Sequence, residues 1–70
     1  MKPLTANQLL RILQRHGFVL LRQRGSHAIW RNNETGATVL VASHGGNKRI
    51  PIGTFFAIVK QSKIPKNQFK

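Results

Sequence analysis

One histidine of the sequence, His27, stands in a setting suited to proton transfer. It follows the turn-like tripeptide Arg24-Gly25-Ser26, and arginines lie near it in sequence on both sides. Imidazole gains and loses a proton near neutral pH, so a histidine at a turn can serve as a general base or a general acid. Neighbouring guanidinium groups can stabilise negative charge on a phosphate. These residue types together indicate chemistry on a phosphodiester.

Cleavage of RNA requires few other groups. A base removes the proton of the 2′-hydroxyl, this oxygen attacks the adjacent phosphorus, and cations stabilise the charge that grows on the phosphorane oxygens. The products are a 2′,3′-cyclic phosphate and a 5′-hydroxyl. On this chemistry His27 is the candidate catalytic residue. Its spacing alone fits equally a histidine that only hydrogen-bonds the turn, which is the commoner role of a lone histidine.

A second histidine, His44, lies in the polar loop 43–49 that also contains Gly45-Gly46. Efficient ribonuclease chemistry also protonates the departing 5′-oxygen, and His44 is a candidate for that acid. A loop histidine that contacts only phosphate or water fits the position as well. His16, near the end of the first helix, fits the favourable placement of a cation at a helix C-terminus and is given no part in cleavage.

The balance of charges predicts a polyanionic partner. Twelve Lys and Arg stand against one acid, Glu34, which gives a formal net charge of +11. Such a balance opposes compaction unless a nucleic acid or an acidic protein neutralises it. The basic residues are spread over several short elements, which disfavours a membrane-surface helix. The residues predicted to bind RNA are Arg22, Arg24, Ser26, Arg31, Lys48 and Arg49. For any single basic residue among them, a solvated surface charge is the simpler interpretation, whereas for the basic residues as a set phosphate binding is favoured.

No metal site, cofactor or export signal is expected. The chain contains no cysteine, one acid and three scattered histidines, so clustered metal ligands are lacking and cleavage is predicted to be metal-independent and cofactor-free. The N-terminal residues lack the apolar region of a signal peptide, and no apolar stretch is long enough to span a bilayer. We therefore expect a cytoplasmic protein that does not associate with membranes.

The pattern of apolar residues and turn signals predicts five elements in one domain, residues 1–70. Seventy residues leave too little core to divide in two. Thr5 and Gln8 form a capping box before the first helix, and Gly17 can end it. The predicted elements are a helix over 6–16, strands over 18–23, 28–31 and 37–42, and a helix over 51–62.

This order predicts an α+β fold of two layers, in which a helix, a three-stranded antiparallel sheet and a second helix follow one another. Both helices lie on one face of the sheet, as in a double-stranded-RNA-binding domain. His27 and Trp30 have opposite strand parity, so a tryptophan packed under the helices would leave the histidine on the open face. A lone tryptophan is more often a core residue than a stacking platform for bases.

The sequence resembles the HicA toxins over nearly its whole length. The resemblance is carried by Gly25-Ser26-His27-Ala28-Ile29-Trp30, by His44 followed by Lys48, by Gly53-Thr54-Phe55 and by Ile58-Val59-Lys60-Gln61. It implies an mRNA endonuclease on a double-stranded-RNA-binding-like fold, with the histidine of the Gly-Ser-His motif as catalytic residue. Lys63 departs from the pattern, since many relatives have glycine there, so the end of the second helix is expected to be capped differently.

The partner that the resemblance implies is an acidic HicB-type antitoxin, with mRNA as substrate and operator DNA contacted only through the antitoxin. Two other functions agree with the charge. One is a non-catalytic RNA-binding module that uses the same face for phosphate contacts. The other is a small structural protein associated with ribosomes. Cleavage of RNA in the presence of a chelator separates the toxin from both alternatives.

Overall fold

The three strands form a single antiparallel sheet in the order β1-β2-β3, flanked in sequence by two helices. The computed structural model describes residues 4–42 and 48–69. The elements are α1 (Ala6–Arg15), β1 (Phe18–Arg24), β2 (His27–Asn32), β3 (Thr38–Ala42), α2 (Ile52–Ser62) and a 3₁₀ turn (Lys66–Gln68). The predicted α+β architecture is confirmed. No helix within these ranges is long and apolar enough to cross a membrane.

The boundaries of the first hairpin differ from the prediction. Arg24 ends β1 and His27 begins β2, so the turn consists of Gly25 and Ser26 alone. The sequence predicts strands over 18–23 and 28–31, which leaves Arg24 and His27 outside them, whereas in the structure both are strand residues. A two-residue connection is the commonest way to join antiparallel strands, and it carries the ladder right up to the turn. His27 therefore occupies a sheet position with a defined direction instead of a loop position.

The N-terminus of α1 is capped as the sequence predicts. The backbone N–H of Gln8 donates to the Thr5 hydroxyl at 3.2 Å, and the backbone N–H of Thr5 donates to the Gln8 side-chain oxygen at 3.1 Å. The reciprocal bonds satisfy backbone donors that a helix leaves without partners at its start. Gly17, with φ of 88°, ends the helix in the left-handed conformation that glycine adopts at little cost.

The core lies between the sheet and the two helices. The middle strand alternates, with Ala28, Trp30 and Asn32 buried while the intervening residues point away from the helices. Apolar residues of both helices and β3 complete this core, and they include Leu9, Leu13, Val39, Val41, Phe55, Ile58 and Val59. The predicted packing of Trp30 in the core is confirmed, and the opposite face of the sheet is left uncovered by the described helices.

Strand β1 contains an irregularity that changes which face its side chains meet. Leu20 pairs with Trp30, whereas Arg22 pairs with Ile29, so Leu21 is an extra residue in β1. A bulge of this kind reverses the alternation of side chains beyond it. Phe18 can thus be buried on the helix side while Arg22, four residues later, lies on the open face.

The buried side chain of Asn32 joins three parts of the fold. Its amide nitrogen donates to the backbone oxygen of His16, at the end of α1, at 2.8 Å. Its amide oxygen accepts from the backbone N–H groups of Glu34, at 2.8 Å, and Thr35, at 3.2 Å, in the turn before β3. A buried amide with both ends satisfied fixes its neighbours in one arrangement. Asn32 thereby fixes the end of α1 against the sheet.

Helix α2 ends at a residue with an unusual backbone conformation. Lys63 has φ of 62°, and it is the one non-glycine residue of the described ranges with positive φ. Its ammonium group donates to the backbone oxygen of Thr35 at 3.4 Å. Beyond it, Phe69 is buried and meets Phe55 edge-on, with ring centroids 6.1 Å apart. The chain after α2 is therefore held by this ring pair, while Lys63 adopts the geometry that suits glycine.

Substitution of Lys63 tests this strain. Lys63→Ala removes the hydrogen bond to Thr35 but keeps a Cβ atom on a residue in the left-handed conformation. Lys63→Gly removes both the hydrogen bond and the Cβ atom. Because the left-handed conformation costs a non-glycine residue about 1 kcal/mol or more, the glycine variant is expected to be the more stable of the two by about that amount. For a domain of this size the difference corresponds to about 4–8 °C in Tm, measured by circular dichroism. Equal Tm values would contradict a strained Lys63.

Candidate active site on the open face of the sheet

His27 lies at the start of the middle strand, exposed on the open face of the sheet. Its partner across the ladder in β1 is Arg24, and its partner in β3 is Ala42. Side chains of directly opposed residues share one face, with Cβ atoms about 5 Å apart. The imidazole therefore has a guanidinium side chain on one flank and a single methyl group on the other, which leaves room for a ligand.

The next row of the ladder completes a shallow cleft beside His27. Arg22, Ile29 and Leu40 are opposed across the three strands. These three residues, together with Arg24 and His27, line a depression of about 270 Å³. Besides His27, the cleft is lined by two arginines and two aliphatic residues. The structure thus brings the predicted catalytic histidine together with two of the predicted RNA-binding arginines.

The turn that precedes His27 is tightly defined. Gly25 has φ of 61°, whereas Ser26 does not have positive φ, a combination found in type II′ hairpin turns. The side-chain amide of Gln23 donates to the backbone oxygen of Gly25 at 3.1 Å. Ser26 is half-buried and directly precedes His27. This local bonding holds the histidine at a fixed position on the rim of the sheet.

Three other predicted RNA-binding residues, Arg31, Lys48 and Arg49, do not line this cleft. Arg31 is on the same face of β2, four residues along the strand, which is about 13 Å at the usual rise per residue. Lys48 and Arg49 border a separate cleft of about 330 Å³ between β3 and the start of α2. Ala42, the partner of His27 in β3, also lines that cleft. Lys48 and Arg49 are therefore near the His27 end of the sheet, toward the helix layer.

Two other predicted groups are not part of this cleft. His44 lies outside the described residues, so its predicted role stays a prediction. Glu34, the one acid of the chain, is in the turn at the far end of β2 from His27. The described residues contain no group of three His, Cys, Asp or Glu side chains placed to hold a metal ion.

The cleft contains two residues that the sequence did not indicate as functional. Ile29 and Leu40 line it beside the histidine, and Leu40 is 51% exposed. Strand parity could have indicated Ile29, because it is two residues after His27 and therefore lies on the same face of the strand. The exposed Leu40 and the partly buried Ile29 provide an aliphatic surface next to the arginines. Such a surface can contact the apolar parts of a nucleotide while the arginines contact its anionic parts.

These groups suit acid–base chemistry on an anionic substrate. An exposed imidazole can exchange a proton with a bound hydroxyl group, and Arg22 and Arg24 can stabilise charge on phosphate oxygens within the same cleft. Guanidinium groups present several donors in a fixed planar geometry that matches phosphate oxygens. Such groups can bind a phosphodiester and exchange a proton with it.

Comparison with known proteins adds one finding. The protein family described as HicA toxin of bacterial toxin–antitoxin systems matches residues 6–64 of the 70-residue chain. The match includes both helices and the whole sheet, and therefore every residue of the cleft around His27. No curated protein matches the chain.

The contribution of the cleft arginines can be separated from that of net charge. In a His27→Ala background, Arg24→Gln is expected to weaken binding of a single-stranded RNA oligonucleotide and to lower the slope of log Kd against log salt by about 0.7, the value for one lost phosphate contact. Arg11→Gln, on the exposed side of α1, removes the same charge from the other layer. Fluorescence anisotropy at several salt concentrations measures the Kd and the salt slope of each variant. An equal loss of RNA affinity in the Arg24→Gln and Arg11→Gln variants would argue against a specific role for the cleft.

Proposed function

Because the chain belongs to the HicA toxin family of bacterial toxin–antitoxin systems, we propose that this toxin is an endoribonuclease that cleaves mRNA without a metal ion. The observation that supports this most directly is the position of His27, exposed at the start of β2 in a cleft lined also by Arg22 and Arg24. The proposed site of action is the cytoplasm, where mRNA is translated.

In the proposed mechanism, the RNA backbone binds across the open face with a phosphate between the arginines and His27. The neutral imidazole removes the proton of the 2′-hydroxyl group, and the 2′-oxygen forms a bond to phosphorus. Arg22 and Arg24 stabilise the negative charge of the phosphorane. The bond from phosphorus to the 5′-oxygen then breaks, and that oxygen takes up a proton. The products are a 2′,3′-cyclic phosphate and a 5′-hydroxyl.

The proton for the leaving oxygen can come from either of two sources in this proposal. Protonated His27 can return the proton that it accepted, or His44 can supply one as a separate general acid. His44 follows Ala42, the ladder partner of His27, by two residues in the sequence. Ser26, Arg31, Lys48 and Arg49 are proposed to bind the RNA on either side of the cleaved linkage.

The proposed inhibitor is an acidic antitoxin of the HicB type, through which the toxin also reaches operator DNA. A net charge of +11 gives fast, salt-dependent association with an acidic protein. An antitoxin on the open face excludes RNA from the cleft by occupying the arginines that the phosphorane would contact. One surface then serves for substrate and inhibitor.

Removal of the imidazole tests the catalytic role. His27→Ala is expected to lower cleavage of single-stranded RNA by at least about 100-fold, the lower range for loss of a general acid–base group. Cleavage is followed on a denaturing gel in the presence of EDTA. His16→Ala is the matched control, because His16 bonds Asn32 through its backbone oxygen, which alanine keeps. That variant should cleave RNA at nearly the wild-type rate.

The same experiment distinguishes the toxin from a non-catalytic RNA-binding module. If wild-type protein shifts RNA in a native gel without cutting it in EDTA, the nuclease proposal fails and the binding module remains. Undiminished cleavage by His27→Ala would move catalysis to another group. Because His27 is exposed, its substitution should leave Tm nearly unchanged, so loss of activity cannot be ascribed to unfolding.

A further inference from the structure

The outer edge of β1 combines free backbone groups with exposed aliphatic side chains. In the sheet formed by the described residues, β1 pairs only with β2, so its other edge has no strand beside it. Val19, Leu20 and Leu21 are consecutive there and are 49%, 47% and 58% exposed. They are half of the large exposed apolar residues in the described ranges, where the others are Leu40, Ile52 and Phe56.

The exposed apolar side chains of β1 lie on both faces of the sheet edge. Val19 pairs with Arg31 and therefore lies on the open face, whereas Leu20 pairs with Trp30 and lies on the helix side. Leu20 is 47% exposed although it lies on the helix side of the sheet. An added strand would cover the unpaired backbone groups and bring its own side chains against the apolar ones on both faces.

Edge strands of natural proteins are usually protected against pairing with other chains by charged side chains, proline, β-bulges or short length. β1 is seven residues long and has no lysine or proline. Its charged residues, Arg22 and Arg24, lie on the open face beside His27 and leave the apolar half of the strand uncovered. The bulge at Leu21 and the two arginines protect the second half of this edge, but Phe18, Val19 and Leu20 before the bulge carry no charge. An apolar edge segment of this kind can accept an added strand from a partner.

We propose that the edge of β1 pairs with an extended segment of the acidic antitoxin, which adds a fourth strand to the sheet. The inference rests on the proposed function for the antitoxin's place at the active site. Acidic side chains of the added strand lie opposite Arg22 and Arg24 on the open face, and apolar side chains lie against Val19 and Leu20. The added strand neutralises the phosphate-binding arginines from the side, whether or not it contacts the imidazole.

Electrostatics favours an acidic segment over a second copy of this chain as the added strand. Each copy carries a net charge of +11, and pairing of two β1 strands would bring the Arg22 and Arg24 side chains of both copies to the same edge. The like net charges of two copies repel each other and oppose this association. An acidic segment reverses the sign of that interaction and leaves the apolar contact unchanged.

Hydrogen exchange measured by NMR tests the pairing directly. The probe is the full-length cognate antitoxin in complex with the non-cleaving His27→Ala variant. Amides of β1 that exchange rapidly in the free chain because they face the open edge are expected to slow by about tenfold or more in the complex, as amides in a ladder do. Unchanged exchange along β1 in a complex that is fully formed would overturn the proposal.

Lysine substitutions at the edge give a second readout. Leu20→Lys and Leu21→Lys place a charge where the added strand would pack, so each is expected to weaken antitoxin binding by about tenfold or more. Phe56→Lys is the matched control, since Phe56 is 42% exposed on α2, away from β1. This variant should bind within about twofold of the unsubstituted chain. Wild-type affinity in both leucine variants would also overturn the proposal.

Two further outcomes are informative. A dimer of the free chain in light scattering, with β1 amides already protected, would show that a second copy occupies the edge and would refute the proposal. Failure of the wild-type protein to cleave RNA would refute the nuclease function without changing the exchange pattern of β1. Failure of edge pairing and failure of the nuclease function are therefore distinguishable.

Discussion

The alternation of side chains along β2 is the constraint on which both the core and the candidate site depend. As the middle strand, β2 is paired on both sides, so its inward residues must fill the core while His27, Ile29 and Arg31 face outward. A slip of one residue would exchange the two sets. Asn32 opposes such a slip, because its side chain is bonded both to the end of α1 and to the turn before β3.

The bulge in β1 makes this alternation compatible with the neighbouring strand. In a regular strand Phe18 and Arg22 would share a face, and either the core would lose an aromatic ring or the cleft would lose an arginine. One extra residue at Leu21 removes the conflict. The bulged residue, Leu21, is 58% exposed at the sheet edge, next to the half-exposed Leu20. The irregularity that places Arg22 in the cleft therefore lies within the apolar edge.

Local signals in the sequence predicted much of the fold. The capping box of Thr5 and Gln8, the end of α1 at Gly17 and the core face of α2 each depend on residues close together in the chain, and the structure confirms them. The open-face position of His27 followed from parity once Trp30 was placed in the core. The bulge was not predicted, because it depends on pairing between strands, which apolar patterning in one strand does not reveal.

Under the proposed function, one set of charges serves two competing ligands. Arg22 and Arg24 stabilise a phosphorane in the cleft, and they also attract the acidic side chains of an antitoxin. An inhibitor that relied on these arginines alone would bind through the same charge interactions as RNA and would be weakened by salt to a similar degree. Main-chain pairing and aliphatic burial at β1 contribute affinity that RNA cannot match and that salt does not screen. Under this proposal, the apolar edge favours a protein partner over RNA at a surface that also binds nucleic acid.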